Sequence, residues 1–375
     1  MKSVAVSKGP LVAHQTRFHR GESAKDVRKD DVFDLIEENF DRFDRDGNAR
    51  ITWSEMRKSV ADPTIQGEDA ASLATLYSLA GDYAQEQDFK RIPSITRSFI
   101  DELRSEREFQ EEEGETLYAD VYYSKYLGKL ENASTELFGS KLPDGMKVRQ
   151  GVGPSCAILS TTVGQALVDP QVIKDAFSVR DDGKVAIKFP GLNKPVVVSA
   201  TTDTETALFA SAGKNGTWLN HVEKAWGTLQ TKNPEAAFEF SSWPAKSIRA
   251  WSDGKAITTK VPQDLSGTKK GETPAFVTEM AKELSNNHIV MTWTRNGERE
   301  LNLVSGHAHT VLGIDQESET IKVRNPWGRF EPTDSKGKPR DGKDDGIFEL
   351  SYAEYVQDFG KISMQTTQGK KQKSA

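Results

Sequence analysis

The sequence predicts an α+β protein in which a small all-α domain precedes a larger domain of mixed helices and strands. Two observations support this prediction. Apolar residues recur at three- and four-residue spacing from Asp31 to about Glu113, which is the period of a helix, whereas short alternating apolar runs follow from about Asn287 onward, as in strands. Helical patterns around Cys156 and Trp218 lie between the two regions. The larger domain therefore has its helices early and an antiparallel sheet late.

The length of the chain and its changes in residue pattern divide it into four parts. At 375 residues it exceeds the roughly 250 to 300 residues at which a single core stops growing, so more than one domain is expected. We predict a flexible tail over 1–30, the helical domain over 31–113, the larger domain over 114–365 and a second flexible tail over 366–375.

The net charge and the short apolar runs argue against a nucleic-acid partner and against a membrane span. The net charge is -6, and no long stripe of Lys and Arg is interleaved with aromatic residues, so no nucleic-acid partner is expected. No run reaches the roughly 18 apolar residues of a membrane span, and the start lacks the apolar core of a cleavable signal. The protein is expected in the cytoplasm or exported without a cleavable signal; its oligomeric state is left open. A single cysteine excludes an intramolecular disulfide.

The first candidate site is the stretch DRDGNARITWSE, residues 44 to 55, within the helical domain. Oxygen-bearing residues at alternate positions and a glutamate at the twelfth place fit a calcium loop between two helices. The predicted Ca²⁺ ligands are Asp44, Asp46, Asn48, the backbone carbonyl of Arg50, Thr52 and Glu55. The sixth place, where the chain turns with positive φ, is Ala49 instead of Gly, a strain of roughly 1 to 2 kcal/mol that should weaken affinity. The alternative is an acidic, solvated turn without a metal.

Calcium loops of this kind usually occur in pairs. The stretch 85–96 would set Ile92 opposite Ile51, but its ligand places hold residues that cannot chelate well: Gln85, Gln87, Phe89 and Thr96. The segment resembles an EF-hand pair with one working and one silent loop. Calcium is thus the expected cofactor, as a regulator or as a stabiliser.

The second candidate site surrounds Cys156, the only cysteine, which follows Gly151 and Gly153 and begins a helical apolar run. A free thiol with a pKa of ~8.5 is mostly protonated at neutral pH, and the N-terminus of a helix favours the thiolate. A buried cysteine at a helix start is nevertheless more often structural than catalytic. Chemistry at Cys156 therefore needs partners from elsewhere in the chain.

The partners are expected from a hairpin. His307 and His309 begin an alternating strand and lie on one face, and a short connection returns the chain to a second strand that ends at Asn325. In a Cys-His-Asn set the imidazole takes the thiol proton and the amide oxygen orients the ring, while Trp327 could shield that bond from water. His309 shares the face and is the second choice of base. The remaining histidines are expected to be structural or exposed: His14, His19, His221 and His288.

Five stretches carry a family resemblance. QGVGPSC, WLNHVEKAW, SGHAHTV, RNPWG and DDGIFELSYAEYVQDF, in this order over about residues 115–365, resemble the calpain family of papain-like cysteine proteases. The resemblance implies a two-subdomain core with an intervening cleft and limited proteolysis of proteins or peptides through a thioester. It makes Cys156 the nucleophile, His307 the base, Asn325 the orienting residue and Gln150 an oxyanion donor. Pro154, Ser155 and Ala157 depart from the family's residues beside the cysteine, which bears on substrate choice.

Two other functions compete with this interpretation. A catalytically silent calcium-binding adaptor could retain the protease fold, although all four predicted site residues are intact. An acyl transferase of the transglutaminase type uses a similar triad, but it favours Asp where this chain has Asn325. Calcium activation is a hypothesis, and the acidic stretch 341–346 is predicted to be a solvated turn before a strand.

Overall fold

A computed structural model describes residues 32–87, 94–237, 244–252, 255–269, 272–297, 300–301 and 303–367. The predicted tail over 1–30 and the last eight residues of the tail over 366–375 lie outside this described part. The chain divides into two compact units. One comprises the residues up to Glu131 together with Thr202–Ala207, and the other comprises Asn132–Thr201 and the residues from Leu208 onward.

The first unit is helical. Its described elements are α1 (Val32–Glu38), α2 (Phe40–Phe43), α3 (Trp53–Val60), α4 (Gly67–Glu86), α5 (Arg97–Glu112) and α6 (Tyr118–Glu131). The spacing that predicted helices is confirmed by burial, since the side chains of Phe33, Ile36, Phe40 and Phe43 are all fully buried.

The helical unit extends beyond residue 113, the boundary expected from sequence. α6 packs along α4, where the buried hydroxyls of Tyr126 and Ser78 share a hydrogen bond of 2.6 Å. The segment Thr202–Ala207 also belongs here, because the Thr202 hydroxyl donates to the Val60 carbonyl at 2.6 Å. These contacts join residues far apart in sequence, so periodicity could not reveal them.

The second unit combines helices with strands. Its helices are α7 (Cys156–Val168), α8 (Pro170–Asp175), α10 (Trp218–Thr231), α11 (Pro244–Trp251), α12 (Ala275–Ser285) and α13 (Tyr352–Asp358). The intervening α9 (Asp203–Leu208) belongs to the first unit except for Leu208. Its strands are β1 (Phe177–Val179), β2 (Val185–Ile187), β3 (Val196–Val198), β4 (Ala256–Lys260), β5 (Val290–Thr294), β6 (Ala308–Asp315), β7 (Thr320–Arg324), β8 (Ile347–Ser351) and β9 (Phe359–Gln365).

The strands of this unit form antiparallel sheets. Within the described residues, the smaller has the order β1-β2-β3 and the larger the order β4-β9-β5-β6-β7-β8. The predicted hairpin is confirmed, because β6 pairs with β7 and sets Thr310 opposite Arg324. The α+β class and the late antiparallel sheet are therefore confirmed, whereas the earlier sheet β1-β2-β3 and the strand β4 were not predicted.

The core of the second unit consists of separate apolar clusters. One surrounds α7, α10 and α11, where the Phe189 ring meets the edges of Trp226 and Trp251 at centroid distances of 5.9 and 4.9 Å. The other lies between the larger sheet and α12 and α13, and it includes Tyr355 and Phe359. α7 belongs to the first cluster yet packs on β6 of the large sheet. The N-terminus of α7 is thereby brought to the strand that carries the predicted histidines.

Candidate active site

The nucleophile predicted from sequence begins a helix. Cys156 is the first residue of α7, and the preceding Ser155 makes no side-chain capping bond to it. The helix period predicted from residue 156 is thus confirmed. Gly151 lies in close contact with the backbone, because a Cβ there would stand 1.9 Å from the Leu208 carbonyl oxygen. Only glycine fits so close to this oxygen. The Val152 amide donates to the same Leu208 oxygen at 2.9 Å and so holds the two backbone segments together.

The structure brings His307 and Asn325 together across the β6–β7 hairpin. His307 Nε2 lies 2.9 Å from Asn325 Oδ1. The same oxygen accepts the Trp327 amide at 3.0 Å, while Asn325 Nδ2 donates to the Phe330 carbonyl at 3.2 Å. These bonds fix which end of the Asn325 amide faces the ring, so His307 donates from Nε2 and keeps Nδ1 as its basic nitrogen.

The surroundings of His307 exclude water and hold its backbone. The indole of Trp327 lies 4.8 Å from the imidazole, centroid to centroid, and His307 itself is buried. The His307 amide donates to the Thr294 hydroxyl at 2.8 Å, which joins the histidine to the end of β5. The arrangement agrees with the predicted shielding of the His307–Asn325 bond by Trp327.

Gln150 lies beside the same loop. Its backbone amide donates to the Pro326 carbonyl at 2.9 Å, directly after Asn325 in sequence. Its side-chain Nε2 donates to the Gly153 carbonyl at 2.8 Å, and one N–H of the amide remains for another acceptor. Among the described residues the buried Oε1 of Gln150 has no hydrogen-bond partner.

Burial dominates the protonation of the candidate pair. It raises the pKa of the Cys156 thiol, although backbone hydrogen bonds from Ala308, Ala157 and Cys156 itself act in the opposite direction. Burial likewise lowers the pKa of His307 to about 4, with the Asn325 bond opposing it. The helix start was expected to favour a thiolate, but here desolvation outweighs it. At neutral pH both groups are uncharged, so the proton has to move to His307 during attack.

His309, the second choice of base, lies in a different environment. It is buried, edge-on to His307 at 5.1 Å, and packed against the rings of Phe348 and Phe359. Neither ring nitrogen has a hydrogen-bond partner among the described residues, and burial holds its pKa well below the ordinary value. No amide or carboxylate of the described residues accepts from or donates to this ring, so the geometry favours His307 as the base. Of the other histidines, His221 and His288 are buried and hydrogen-bonded, whereas His14 and His19 lie outside the described residues.

Two buried charged residues support the Asn325 loop and were not predicted from sequence. Arg324 donates to the carbonyl of Val148 at 2.7 Å, joining β7 to the segment before Gln150, and burial lowers its pKa to about 10. Glu331 accepts the amides of Asp345 and Gly346, and burial raises its pKa to about 7. A charge inside an apolar strand, such as Arg324, was the available signal.

The acidic stretch 341–346 is mostly exposed and directly precedes β8, as predicted. Its end nevertheless supports the site. The Gly346 carbonyl accepts the Asn325 amide at 2.7 Å, so the turn held by Glu331 also fixes the backbone of Asn325.

In the helical unit, the predicted calcium loop connects α2 to α3. Oxygen atoms of Asp44, Asp46 and Glu55 all lie within 4.8 Å of one another. Ala49 has a φ of +64°, the positive value that the sixth place requires, and its amide donates to Asp44 at 2.7 Å. Thr52 caps α3 in a reciprocal capping box with Glu55. The donors are all oxygens, several of them anionic, and therefore fit a hard divalent cation such as Ca²⁺.

The pairing of this loop differs from the expectation. Ile51 pairs with Ile95, through N···O distances of 2.7 and 2.9 Å, and not with Ile92. Ile95 therefore corresponds to the residue predicted opposite Ile51, three residues later than expected, and Thr96 caps α5 as Thr52 caps α3. The residue that corresponds to Glu55 is the buried Phe99, which cannot chelate. Residues 88–93 lie outside the described part of the chain.

Comparison with known proteins agrees with the architecture. Residues 144–365, more than half of the chain, match the family described as calpain family cysteine protease. The chain belongs to the calpain family of cysteine proteases. It is similar to Calpain-9 of Homo sapiens, with 31% identity over an alignment of 84 residues; the match covers 16% of this chain and 12% of the human protein's length. No described helix has both the length and the apolar character required to cross a membrane.

Proposed function

We propose that this chain is a cysteine endopeptidase that cleaves proteins or peptides at limited sites. The observation that carries the proposal is the His307–Asn325 bond of 2.9 Å on a hairpin packed against α7, the helix that Cys156 begins. Membership of the calpain family supports the same reaction.

In the proposed reaction, Cys156 Sγ attacks the scissile carbonyl carbon while His307 takes the thiol proton. The carbonyl becomes a tetrahedral oxyanion, which the Cys156 amide and the free N–H of Gln150 stabilise. His307 then returns the proton to the leaving amine, the C–N bond breaks, and an acyl thioester remains on Cys156. Water, deprotonated by His307, hydrolyses that thioester, and Asn325 holds the ring throughout.

We also propose that Ca²⁺ binds the loop of Asp44, Asp46, Asn48, Arg50, Thr52 and Glu55. The convergence of the three carboxylates and the positive φ of Ala49 support the proposal. Bound calcium would neutralise these carboxylates, whose mutual repulsion otherwise opposes their close approach. Proteolysis that responds to calcium is the extension of this proposal. Equal activity in excess chelator and in millimolar calcium would contradict the extension without touching the triad.

The test is cleavage of casein by wild type and Cys156→Ala, each with calcium and with chelator, with identification of the new termini by mass spectrometry. We expect wild type to cleave and the variant to be inactive. Cleavage that persists in Cys156→Ala would contradict the assignment of the nucleophile. Incorporation of a labelled amine into casein, without new termini, would instead indicate acyl transfer.

The alternative is a silent adaptor that binds calcium and retains the protease fold. The raised pKa of the Cys156 thiol favours this alternative, since a thiol that stays protonated is a poor nucleophile. Calcium binding by a wild type that cleaves nothing and forms no acyl adduct from an activated peptide ester would support the adaptor.

A further inference from the structure

The contact between α7 and β6 contains a pair of buried hydrogen bonds made by side-chain hydroxyls. Ser160 Oγ donates to the Ala308 carbonyl at 3.1 Å, and Thr310 Oγ1 donates to the Ser160 carbonyl at 2.8 Å. Ser160, Ala308 and Thr310 are all buried. We call this pair of bonds the Ser160–Thr310 clamp.

The clamp lies next to both reacting groups. Ser160 follows Cys156 by four residues and thus lies on the same side of α7, one turn further on. Ala308 directly follows His307, and its carbonyl is the acceptor of the Ser160 hydroxyl. The clamp therefore joins the turn of α7 that follows Cys156 to the residues of β6 that follow His307.

Neighbouring hydroxyls on α7 show that this arrangement is not the default. Thr161 and Thr162 donate to the carbonyls four residues before them, at 2.8 and 2.7 Å, as buried hydroxyls in helices commonly do. The corresponding acceptor for Ser160 would be the Cys156 carbonyl. Ser160 instead donates to the Ala308 carbonyl on β6, and Thr310 on the same strand donates to the Ser160 carbonyl.

We infer that Ser160 and Thr310 are positioning residues that fix the distance and angle between Cys156 and His307. The inference rests on the proposed function for its kinetic consequence, while its structural part concerns the reactivity of Cys156 alone. A misplacement of about 1 Å between reacting groups can cost roughly 10²-fold in rate. Loss of the clamp should therefore lower kcat and leave KM nearly unchanged, because neither residue is expected to contact substrate.

The test compares Thr310→Val with Thr310→Ser and Thr161→Val. Thr310→Val removes one of the two clamp hydroxyls at nearly constant volume, Thr310→Ser retains it, and Thr161→Val removes an equally buried hydroxyl outside the clamp. We expect Thr310→Val to lower kcat about 10- to 100-fold with KM changed less than about 3-fold, and the other two variants to stay within about 3-fold of wild type. Ser160→Ala supplies a second removal of the clamp if Thr310→Val does not fold.

Alkylation of Cys156 by iodoacetamide at pH 7 separates the clamp from the proposed function. We expect Thr310→Val to alkylate about 10-fold more slowly than Thr161→Val, since His307 no longer assists loss of the thiol proton. If wild type cleaves nothing but this difference appears, the clamp stands and the endopeptidase proposal fails. Equal alkylation rates in the two variants, or cleavage by Thr310→Val at the rate of Thr161→Val, would overturn the clamp.

Discussion

Asn325 is the residue that connects the hairpin to the chemistry of His307. Its oxygen accepts from both His307 Nε2 and the Trp327 amide, so its loss frees the ring to rotate. We expect Asn325→Ala to lower kcat/KM by roughly 10²-fold or more, because His307 would then sample unproductive orientations. The measurement is hydrolysis of a fluorogenic peptide.

The matched control for this prediction is Asn286→Ala, which removes an exposed asparagine at the end of α12. It should leave kcat/KM unchanged. If Asn325→Ala behaves like the control, Asn325 does not orient the base.

A single methyl group added at Gly151 should lower the stability of the fold. The Cβ of an alanine would stand 1.9 Å from the Leu208 carbonyl oxygen, which also accepts the Val152 amide at 2.9 Å. We expect Gly151→Ala to lower the free energy of unfolding by roughly 1 to 3 kcal/mol. Urea denaturation measures the change in the free energy of unfolding. The control is Gly267→Ala, because Gly267 is exposed and a Cβ there meets no described atom within 4 Å. Equal stability of both variants would contradict the close approach.

Among the elements, the loop between α2 and α3 is the one whose behaviour should depend on calcium. Glu55 accepts the amides of Arg45 and Thr52 as well as the Thr52 hydroxyl. Its burial raises its pKa, but these hydrogen bonds outweigh that effect and hold the pKa below the ordinary value. Glu55 is therefore ionised at neutral pH and available as a ligand.

We expect Glu55→Gln to weaken calcium binding at least 10-fold, because the twelfth place loses its charge and its bidentate carboxylate. Calorimetric titration with calcium measures the affinity. Glu38→Gln, on the exposed side of α1, should bind as wild type does. Equal affinities of Glu55→Gln and Glu38→Gln would exclude this loop as the site.

The elements also show what sequence can and cannot predict. α7 and the β6–β7 hairpin were predicted because their apolar periods and turn signals are local. The pairing of Ile51 with Ile95 was missed, because a shift of three residues keeps an isoleucine opposite Ile51 either way. Arg324 and Glu331 were missed because the burial of a charge depends on tertiary partners that no local pattern specifies.

For the whole molecule, burial of histidines makes stability sensitive to acid. The folded pKa of His307, about 4, lies below the ordinary value of 6.5, so the unfolded chain takes up a proton first as the pH falls. The stability that His307 contributes is present above pH 6.5 and is lost progressively as the pH falls through 4. The shift corresponds to about 3 kcal/mol at most. Burial shifts His221 and His309 in the same direction.

The prediction is that unfolding in urea becomes easier between pH 6.5 and 4, and that His307→Gln reduces this loss. Urea midpoints of wild type and His307→Gln at pH 7 and pH 4.5 provide the measurement. Parallel losses in the two proteins would mean that His307 is not buried as a neutral ring.

The proposed role of Cys156 as nucleophile is tested most directly by capture of the acyl-enzyme. Wild type would be mixed with a peptide p-nitrophenyl ester and quenched in acid. The mass of the intact protein would be measured by mass spectrometry, and the adduct would be located by peptide mapping. We expect an added mass equal to the acyl group, on Cys156, and no adduct in Cys156→Ala. Ester turnover without an adduct on Cys156, or an adduct on another residue, would contradict a thioester mechanism at this site.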